Sequence, residues 1–445
     1  MIRWTPCFWA LLFGLAAIRA VYGLPAFPGA EGYGSDTPGG RGGRVIAVTH
    51  LRDAGPGSLR HALEVETGPR IVVFRVGGTI DLMRPIRLRE ANSWLTVAGQ
   101  TAPGDGIQVR NYGIMISDGA HDMVLRYLRL RPGTADPARI GGTRIDALTL
   151  WGNDGSHVHR IVADHLSMTW AIDENANHWG WVTDVTYQWC LFAEGATTHH
   201  PEGLHSMGLL VGGDDRNTVS VHHSVFAHNH NRNPLLRGHR ADFRNNLVYN
   251  WGTDGSAQFA EGVQVNIVRN HYLAGPDTPT NHIVFWIHNG ASAYLDGNWG
   301  PRCPVGCEDE SAIGIYRFNP RARAQVPFAV PPVTTHPTAV VKPLVLAHAG
   351  ATRPVRDAVD LRIVEEIRQG TGRIGIGSTA AVLRAAAPPV DSDRDGMPDA
   401  WERARQLNPH DASDRNNDLE GDGYTAIEVY LHELTLAPNL PAREP

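Results

Sequence analysis

The chain has 445 residues, 42% hydrophobic and 19% charged, with a formal net charge of −6 at pH 7. That balance excludes a disordered polyelectrolyte and a general nucleic-acid binder, because a polyanion site on such a chain needs a local basic cluster. Gly 48 and Pro 30 favour a β-rich, turn-rich protein, and the lone lysine, Lys342, narrows the choice of a catalytic base.

Residues 1–23 carry Arg3, an apolar run from Phe8 to Ile18, and the small residues Val21 and Gly23 near a cleavage point. This is the pattern of a secretory signal peptide, too short to span a bilayer. Its removal takes Cys7 and leaves Cys190, Cys303 and Cys307. The close pair in PRCPVGCED suits a small disulfide loop outside the cytoplasm, and Cys190, within TYQWCLF, suits a buried thiol. No other apolar stretch is long enough to span a membrane, so the chain is expected to be secreted, extracellular or periplasmic.

From about residue 24 to 300, short strands alternate with turn residues. AFPGAEGYGSDTPGGRGGRVIAVTHLRDAGPGSLRHALE supplies a glycine-rich lead-in and then a short helix suited to cap a first coil. The runs IVADHLSMT, VTYQWCLFA, VSVHHSVFA, ADFRNNLVY and NIVRNHYLA repeat. Aligned on His165, Trp189, His223, Asn246 and His271, they are separated by 24, 34, 23 and 25 residues. A period in the low twenties with β-branched strands signals a solenoid, in which stacked coils share one core. The recurring Asn and His predict a polar ladder at a bend, most of it structural.

After residue 300 the repeat fades. VPFAVPPVTTHPTAVVKP predicts an extended segment on the solenoid surface. Val359, Ile363 and Ile367 predict an amphipathic helix ended by Gly370. DSDRDGMPDAWE then places Asp391, Asp393, Asp395, Gly396, Asp399 and Glu402 at positions 1, 3, 5, 6, 9 and 12 of an EF-hand-type calcium loop. A second acidic stretch offers Asp414, Asn416, Asp418, Glu420 and Asp422, with Glu428 one place short of that spacing. The expected divisions are 1–23 signal peptide, 24–345 catalytic solenoid, 346–387 linker and packing helix, and 388–445 calcium module.

Within VSVHHSVFAHNHNRNPLLRGHRADFRNNLVYN, Pro234 stands between Arg232 and Arg237. Proline pins the backbone, and paired guanidiniums suit a substrate rich in carboxylates. Taken alone, R-x-P-x-x-R is more often a surface turn. AFPGAEGYG, GPGSLR, AGQTAPGDGI, DALTLW, VADHLSMTWAIDE, HSMGLLVGG and NRNPLLRG change those odds, for together they resemble a secreted pectate lyase of the right-handed parallel β-helix type.

That resemblance spans about residues 26–300 and implies an all-β right-handed parallel β-helix, to which the patterns read above add short capping helices and a small C-terminal calcium module. It implies calcium-dependent β-elimination of α-1,4-linked polygalacturonate, a monomeric enzyme, and Ca2+ as cofactor. Carried over by motif, Asp146 and Asp173 are metal ligands, Arg232 is the base, and Arg237 holds a substrate carboxylate. Asp164 falls at a structural position. Two departures stand out: Thr169 occupies a place where many relatives have an acidic ligand, and Met207 one where many have lysine. Either Glu174 or Glu194 supplies the missing oxygen or calcium binds tightly only with substrate present, and His205 is the nearest polar substitute for the lysine. His222 and His223 rival Arg232 as base, being easier to deprotonate, and His223 is also a substrate-binding expectation. Arg126, Arg129, Arg131, Arg139 and Arg144 either line a groove or form surface ion pairs. The competing functions are a polygalacturonase, for which Asp214 and Asp215 offer carboxylates, and a non-catalytic glycan-binding solenoid.

Overall fold

A computed structural model describes residues 23–134, 144–253, 256–260, 262–316, 319–375 and 382–436. The expected leader as far as residue 22, Cys7 within it, and Arg139 lie outside these residues. Within them the chain winds through three parallel sheets as a right-handed β-helix. A ten-stranded sheet runs from Arg44–Val48 to Ser292–Asp296, a nine-stranded one from Ile86–Leu88 to Ile315–Tyr316, and an eight-stranded one from Gly78–Asp81 to His271–Leu273. One coil illustrates the path. Val158–Asp164 lies in the first sheet, Ser167–Thr169 in the third and Glu174–Trp179 in the second, before Val182–Gln188 begins the next coil.

The repeat follows from a two-residue bend. His165, Trp189, His223, Asn245 and Arg269 each take φ between 52° and 53°, at the first bend position. A left-handed residue costs roughly 1–2 kcal/mol, and two kinds of contact offset it. Outward, Tyr127, His165, Trp189 and His223 stack ring on ring, at 4.6, 6.0 and 4.4 Å between centroids. Inward, the second bend residues form a ladder: Asn246 Nδ2 donates to Asn270 Oδ1 at 3.1 Å and Asn270 Nδ2 to Asn298 Oδ1 at 3.0 Å. The expected alignment was therefore out of step in its last two coils. Strand register sets Asn245 and Arg269, not Asn246 and His271, opposite His223. The inward Asn and outward His belong to two adjacent columns.

Leu59, Ala62 and Leu63 plug the first coil from the turn His61–Val65, as the lead-in implies. The helix Ala358–Gln369 forms where Val359, Ile363 and Ile367 predict it, with Asp357 capping Asp360 N and Gly370 at φ 72° ending it. Arg131 anchors it, fully buried and paired with Asp357 and Asp360 at 2.5 and 2.8 Å. The proline-rich segment is extended only as far as Pro337. Thr338–His348 is a helix that buries Val341 and Val345, and it crosses the boundary expected at residue 345. Cys303 and Cys307 are joined and Cys190 is a buried free thiol. No helix among the described residues is long and apolar enough to cross a membrane.

The strand Arg70–Phe74 is buried along its whole length. Val72 and Phe74 face the solenoid core, whereas Ile71 and Val73 pack outward against Met397, Ala426, Ile427 and Tyr430. A sheet covered on both faces reads as a continuous apolar run, and RIVVF is one.

Candidate active site

The nine-stranded sheet presents its outer face as a cleft floor. Register aligns Met115, Thr149, Asn177 and Leu210 in one column and Trp151 with Trp179 in the next. Asp146 stands just before the strand Leu148–Trp151, Asp173 just before Glu174–Trp179, and Arg232 before Leu235–Leu236. All of them line a single cleft, together with Arg144, Glu174, His200, Glu202 and His205. The 34-residue interval between Trp189 and His223 is long because residues 195–206 arch over this cleft and bring His200 and His205 to it.

Hydrogen bonds between coils fix the acidic groups. Asp146 accepts from Thr149 Oγ1 at 2.8 Å and from Glu174 N at 3.0 Å. Burial, and then the charge of Asp173, push the Asp146 carboxyl up to about 7, against its hydrogen bonds from Thr149 and Asn177. At Asp173 burial also works against ionisation. The His205 hydrogen bond, at 2.8 Å, and the charges of His200 and Arg232 outweigh it and hold this carboxyl below its usual range. Glu174 is 1% exposed and forms an ion pair with Arg232.

Arg232 adopts φ 55°, a left-handed conformation costing on the order of 1–3 kcal/mol. A buried amide ladder holds it there. Asn175 Nδ2 donates to Asn229 Oδ1 at 3.1 Å, and Asn229 Nδ2 donates to Asn233 Oδ1 at 3.0 Å. The coil of Asp173 and Glu174 is thereby tied to the coil of Arg232. Burial lowers the Arg232 pKa and the charge of Arg237 adds to this, while Asp173 and Asp146 oppose it.

Asp146, Asp173 and Glu174 bring carboxylate oxygens within 4.8 Å of one another. Hard oxygen donors of this kind fit a calcium-type cation. A second grouping, Asp173 with His200 and His205, is equally close. There, however, His200 Nδ1 accepts from Glu202 N at 3.1 Å, which leaves the proton on Nε2 and makes that nitrogen a donor rather than a ligand.

Several expectations meet a different arrangement. His222 and His223 are 1% exposed and lie at the bend between the other two sheets, with His223 Nε2 3.0 Å from His336 Nδ1. Neither histidine is among the residues that line the cleft with Arg232. Glu194 is buried against Arg362 and Trp170 Nε1, at 2.7 and 2.8 Å, and supplies no oxygen to the cleft; Glu174 does lie there. Thr169 is fully buried. Arg126, Arg129 and Arg131 are interior, leaving Arg144 as the cleft arginine of that group among the described residues. Asp164 is buried, paired with Arg126 at 2.7 Å, in keeping with a structural place. Asn177, Trp151, Trp179, His200 and the Asn175–Asn229–Asn233 ladder escaped sequence reasoning. Period-2 alternation in ENANHW was the one signal for Asn177 and Trp179.

The C-terminal acidic residues gather at a distance from this cleft. Asp391, Asp393 and Asp395 have oxygens within 4.8 Å of one another, as do Asp395, Glu402 and Asp414. Asp399 is turned away, accepting from Ser392 N and Oγ at 2.8 and 2.9 Å. In the second stretch Asp418 accepts from Gly421 N and Gly423 N at 2.7 and 2.9 Å, and Glu428 pairs with Arg41 at 2.8 Å.

Comparison with known proteins agrees with the geometry. A probable pectate lyase C of Neosartorya fischeri is 35% identical over 440 residues, covering 95% of this chain and 97% of that protein. The chain belongs to the pectate lyase family. The Aspergillus terreus member, also named a probable pectate lyase C, is 34% identical over 439 residues, with 95% and 97% covered. Among solved structures, the thermostable pectate lyase PL 47 superposes with a TM-score of 0.50 at 15% identity, over 72% of this chain and 97% of that one, a likeness in fold. No protein-family model matches the chain. As a member of the pectate lyase family the protein is an enzyme of the polysaccharide lyase class.

Proposed function

We propose that the cleft carries out calcium-dependent β-elimination on α-1,4-linked polygalacturonate, releasing 4,5-unsaturated oligogalacturonides. The observation that carries this reading is a partly buried arginine with a lowered pKa in the same cleft as the grouped carboxylates of Asp146, Asp173 and Glu174. In this reading Arg232 removes the proton on C5, the bond to O4 breaks as the C4–C5 double bond forms, and the leaving oxygen takes a proton from water. Arg232 must first lose its own proton. Its ion pair with Glu174 holds that proton in place in the resting cleft, and a Glu174 that served as a metal ligand would no longer hold it. A divalent cation held by Asp146, Asp173 and Glu174 would supply Lewis acidity toward the uronate carboxylate. Arg237 and His205 bind neighbouring carboxylates, and Trp151 and Trp179 give the sugar rings an apolar wall. Because Arg232 acts deprotonated, the rate rises toward alkaline pH.

The relatives bear the name pectate lyase, which supports pectate as the polymer attacked. Secretion after loss of residues 1–23, and action as a monomer, complete the reading. Residues 388–445 are read as a module stabilised by calcium at their first acidic loop, with Asp391, Asp393, Asp395 and Glu402 as its carriers.

Turnover is tested by the ultraviolet absorbance of unsaturated products from demethylated polygalacturonate, with calcium and with chelator. Saturated reducing ends without that absorbance would instead mark a hydrolase, although Asp214 is already held by Arg216 at 2.5 Å. Binding without shortening of the polymer would mark a non-catalytic solenoid.

A further inference from the structure

Gly396, at φ 95°, closes the loop of Asp391, Asp393 and Asp395, and the helix Asp399–Ala404 follows it. A Cβ at Gly396 would stand 3.0 Å from Ile427 Cδ1 and 3.1 Å from Val45 Cγ1, so the loop is pressed between the helix Ala426–Leu436 and the first solenoid strand. Asp414 arrives from the other acidic stretch, in the turn Asp414–Asn416. Its Oδ2 accepts from Asn408 N at 2.8 Å.

Five oxygens of this cluster are buried without a hydrogen-bond partner: Asp393 Oδ2, Asp395 Oδ2, both oxygens of Glu402, and Asp414 Oδ1. Glu402 is 0% exposed and Asp395 1%. An ionised carboxylate buried without a partner is strongly unfavourable, and several side by side repel one another as well. Among the described residues no ion pair joins an arginine to Asp393, Asp395, Glu402 or Asp414, and Arg415 donates to the Ala412 carbonyl. Arg75 is taken by Asp391 at 2.9 Å and Arg403 by Asp399 at 2.9 Å. Oxygen-only ligation with one bidentate carboxylate describes a hard divalent cation of calcium's size.

We infer that one such cation, held by Asp393, Asp395, Glu402 and Asp414, fastens the second acidic stretch to the first and locks the C-terminal segment onto the opening coils of the solenoid. This rests on the calcium reading of residues 388–445 given above; it leaves Asp391 to Arg75 and adds Asp414 and a docking role. The locked face is apolar: Met397 and Ile427 cover Ile71, Val73 and Ala98. Arg41 with Glu428 and Arg75 with Asp391 rim it. Loss of the ion leaves the carboxylates to repel one another, and the segment detaches from that stripe.

The experiment uses the full chain with calcium alone as the probe. Bound calcium is counted by elemental mass spectrometry in Asp146→Asn, which weakens the cleft site, and in the double variants that add Glu402→Gln or Asp414→Asn. Amides keep the side-chain size, and an amide oxygen at 414 still accepts from Asn408 N. One retained ion is expected in Asp146→Asn, with affinity at least tenfold weaker in both double variants. In the wild type, chelator should lower the melting temperature and open residues 382–398 to protease. Absence of any retained ion in Asp146→Asn would overturn the calcium reading of the segment along with this inference, and leaves the cleft reading to its own assay. Unchanged affinity on Asp414→Asn, with loss on Glu402→Gln, would overturn the bridging alone. A retained ion whose removal alters neither melting nor proteolysis would overturn the docking role.

Discussion

The cleft and the C-terminal cluster both gather carboxylates within 4.8 Å of one another, yet they are built in opposite ways. In the cleft the acids have protein partners: Thr149 and the Glu174 amide for Asp146, His205 for Asp173, Arg232 for Glu174. In the C-terminal cluster five oxygens have none. A partnered carboxylate can release and regain a cation during turnover without loss of fold. An unpartnered one makes the cation part of the fold itself. In the proposed reading, this difference is what would separate a working site from a structural one, more than the count of acidic residues does.

The largest effect expected in either region is catalytic. Arg232→Ala should lower the turnover of polygalacturonate by roughly 10²–10⁴-fold, the usual worth of a general base. Circular dichroism should stay that of the wild type, because the ion pair with Glu174 belongs to the cleft and the amide ladder beneath it remains. Full activity in that variant would return the role of base to a histidine, and the cleft would then need a rearranged His200 or His205.

Chelation should set the two regions apart by pH. Burial and then the charges of Asp395, Asp393 and Asp414 push Glu402 up to about 8. Burial pushes Asp395 up to about 7, against the Met397 amide and helped by Asp393 and Asp391. In the unfolded chain both titrate near ~4. The folded state thus keeps protons that the unfolded state has released. The stability from these groups is fully present below about pH 4 and is lost as pH rises through about 8. Melting curves in chelator should therefore fall in temperature across that window, and added calcium should flatten the trend. A flat chelator series would show that these carboxylates are not buried together.

A smaller loss is expected from the ladder beneath the cleft. Asn229→Ala leaves Asn175 and Asn233 short of buried partners and should cost about 1–3 kcal/mol in denaturant unfolding. Its effect on turnover should exceed that of a stability-matched change elsewhere, since the ladder joins the coil of Asp173 to that of Arg232. Least of all, His223→Gln should leave turnover per folded molecule at the wild-type rate, because the change removes contacts at the bend alone: the stacking on Trp189 and the hydrogen bonds to His222 and His336. A marked fall in turnover would place the bend nearer the chemistry than its geometry does.

Much of this was open to sequence reasoning. The period near 24 residues dictates stacked coils, because a strand such as VSVHHSVFA cannot bury its apolar face alone. The spacing of Val359, Ile363 and Ile367 dictates a helix, and Asp391 through Glu402 dictate an acidic turn. Chain pattern is local, and these are local consequences. It could not separate Asn245 from Asn246, since either fits a bend until strand register is fixed.

What only the tertiary structure decided is which distant residues share a space. Glu174 lies against Arg232 and Glu194 does not, although both stood as alternatives for the missing oxygen. Thirty-four residues between two bends revealed nothing of the arch that brings His200 and His205 over the cleft. Asp414 joins Glu402 because two turns meet on one face of the first coils, while Asp399 accepts from the Ser392 amide and hydroxyl. Composition and period fix how a coil is made. Burial and charge, which depend on every coil at once, fix what stands beside what.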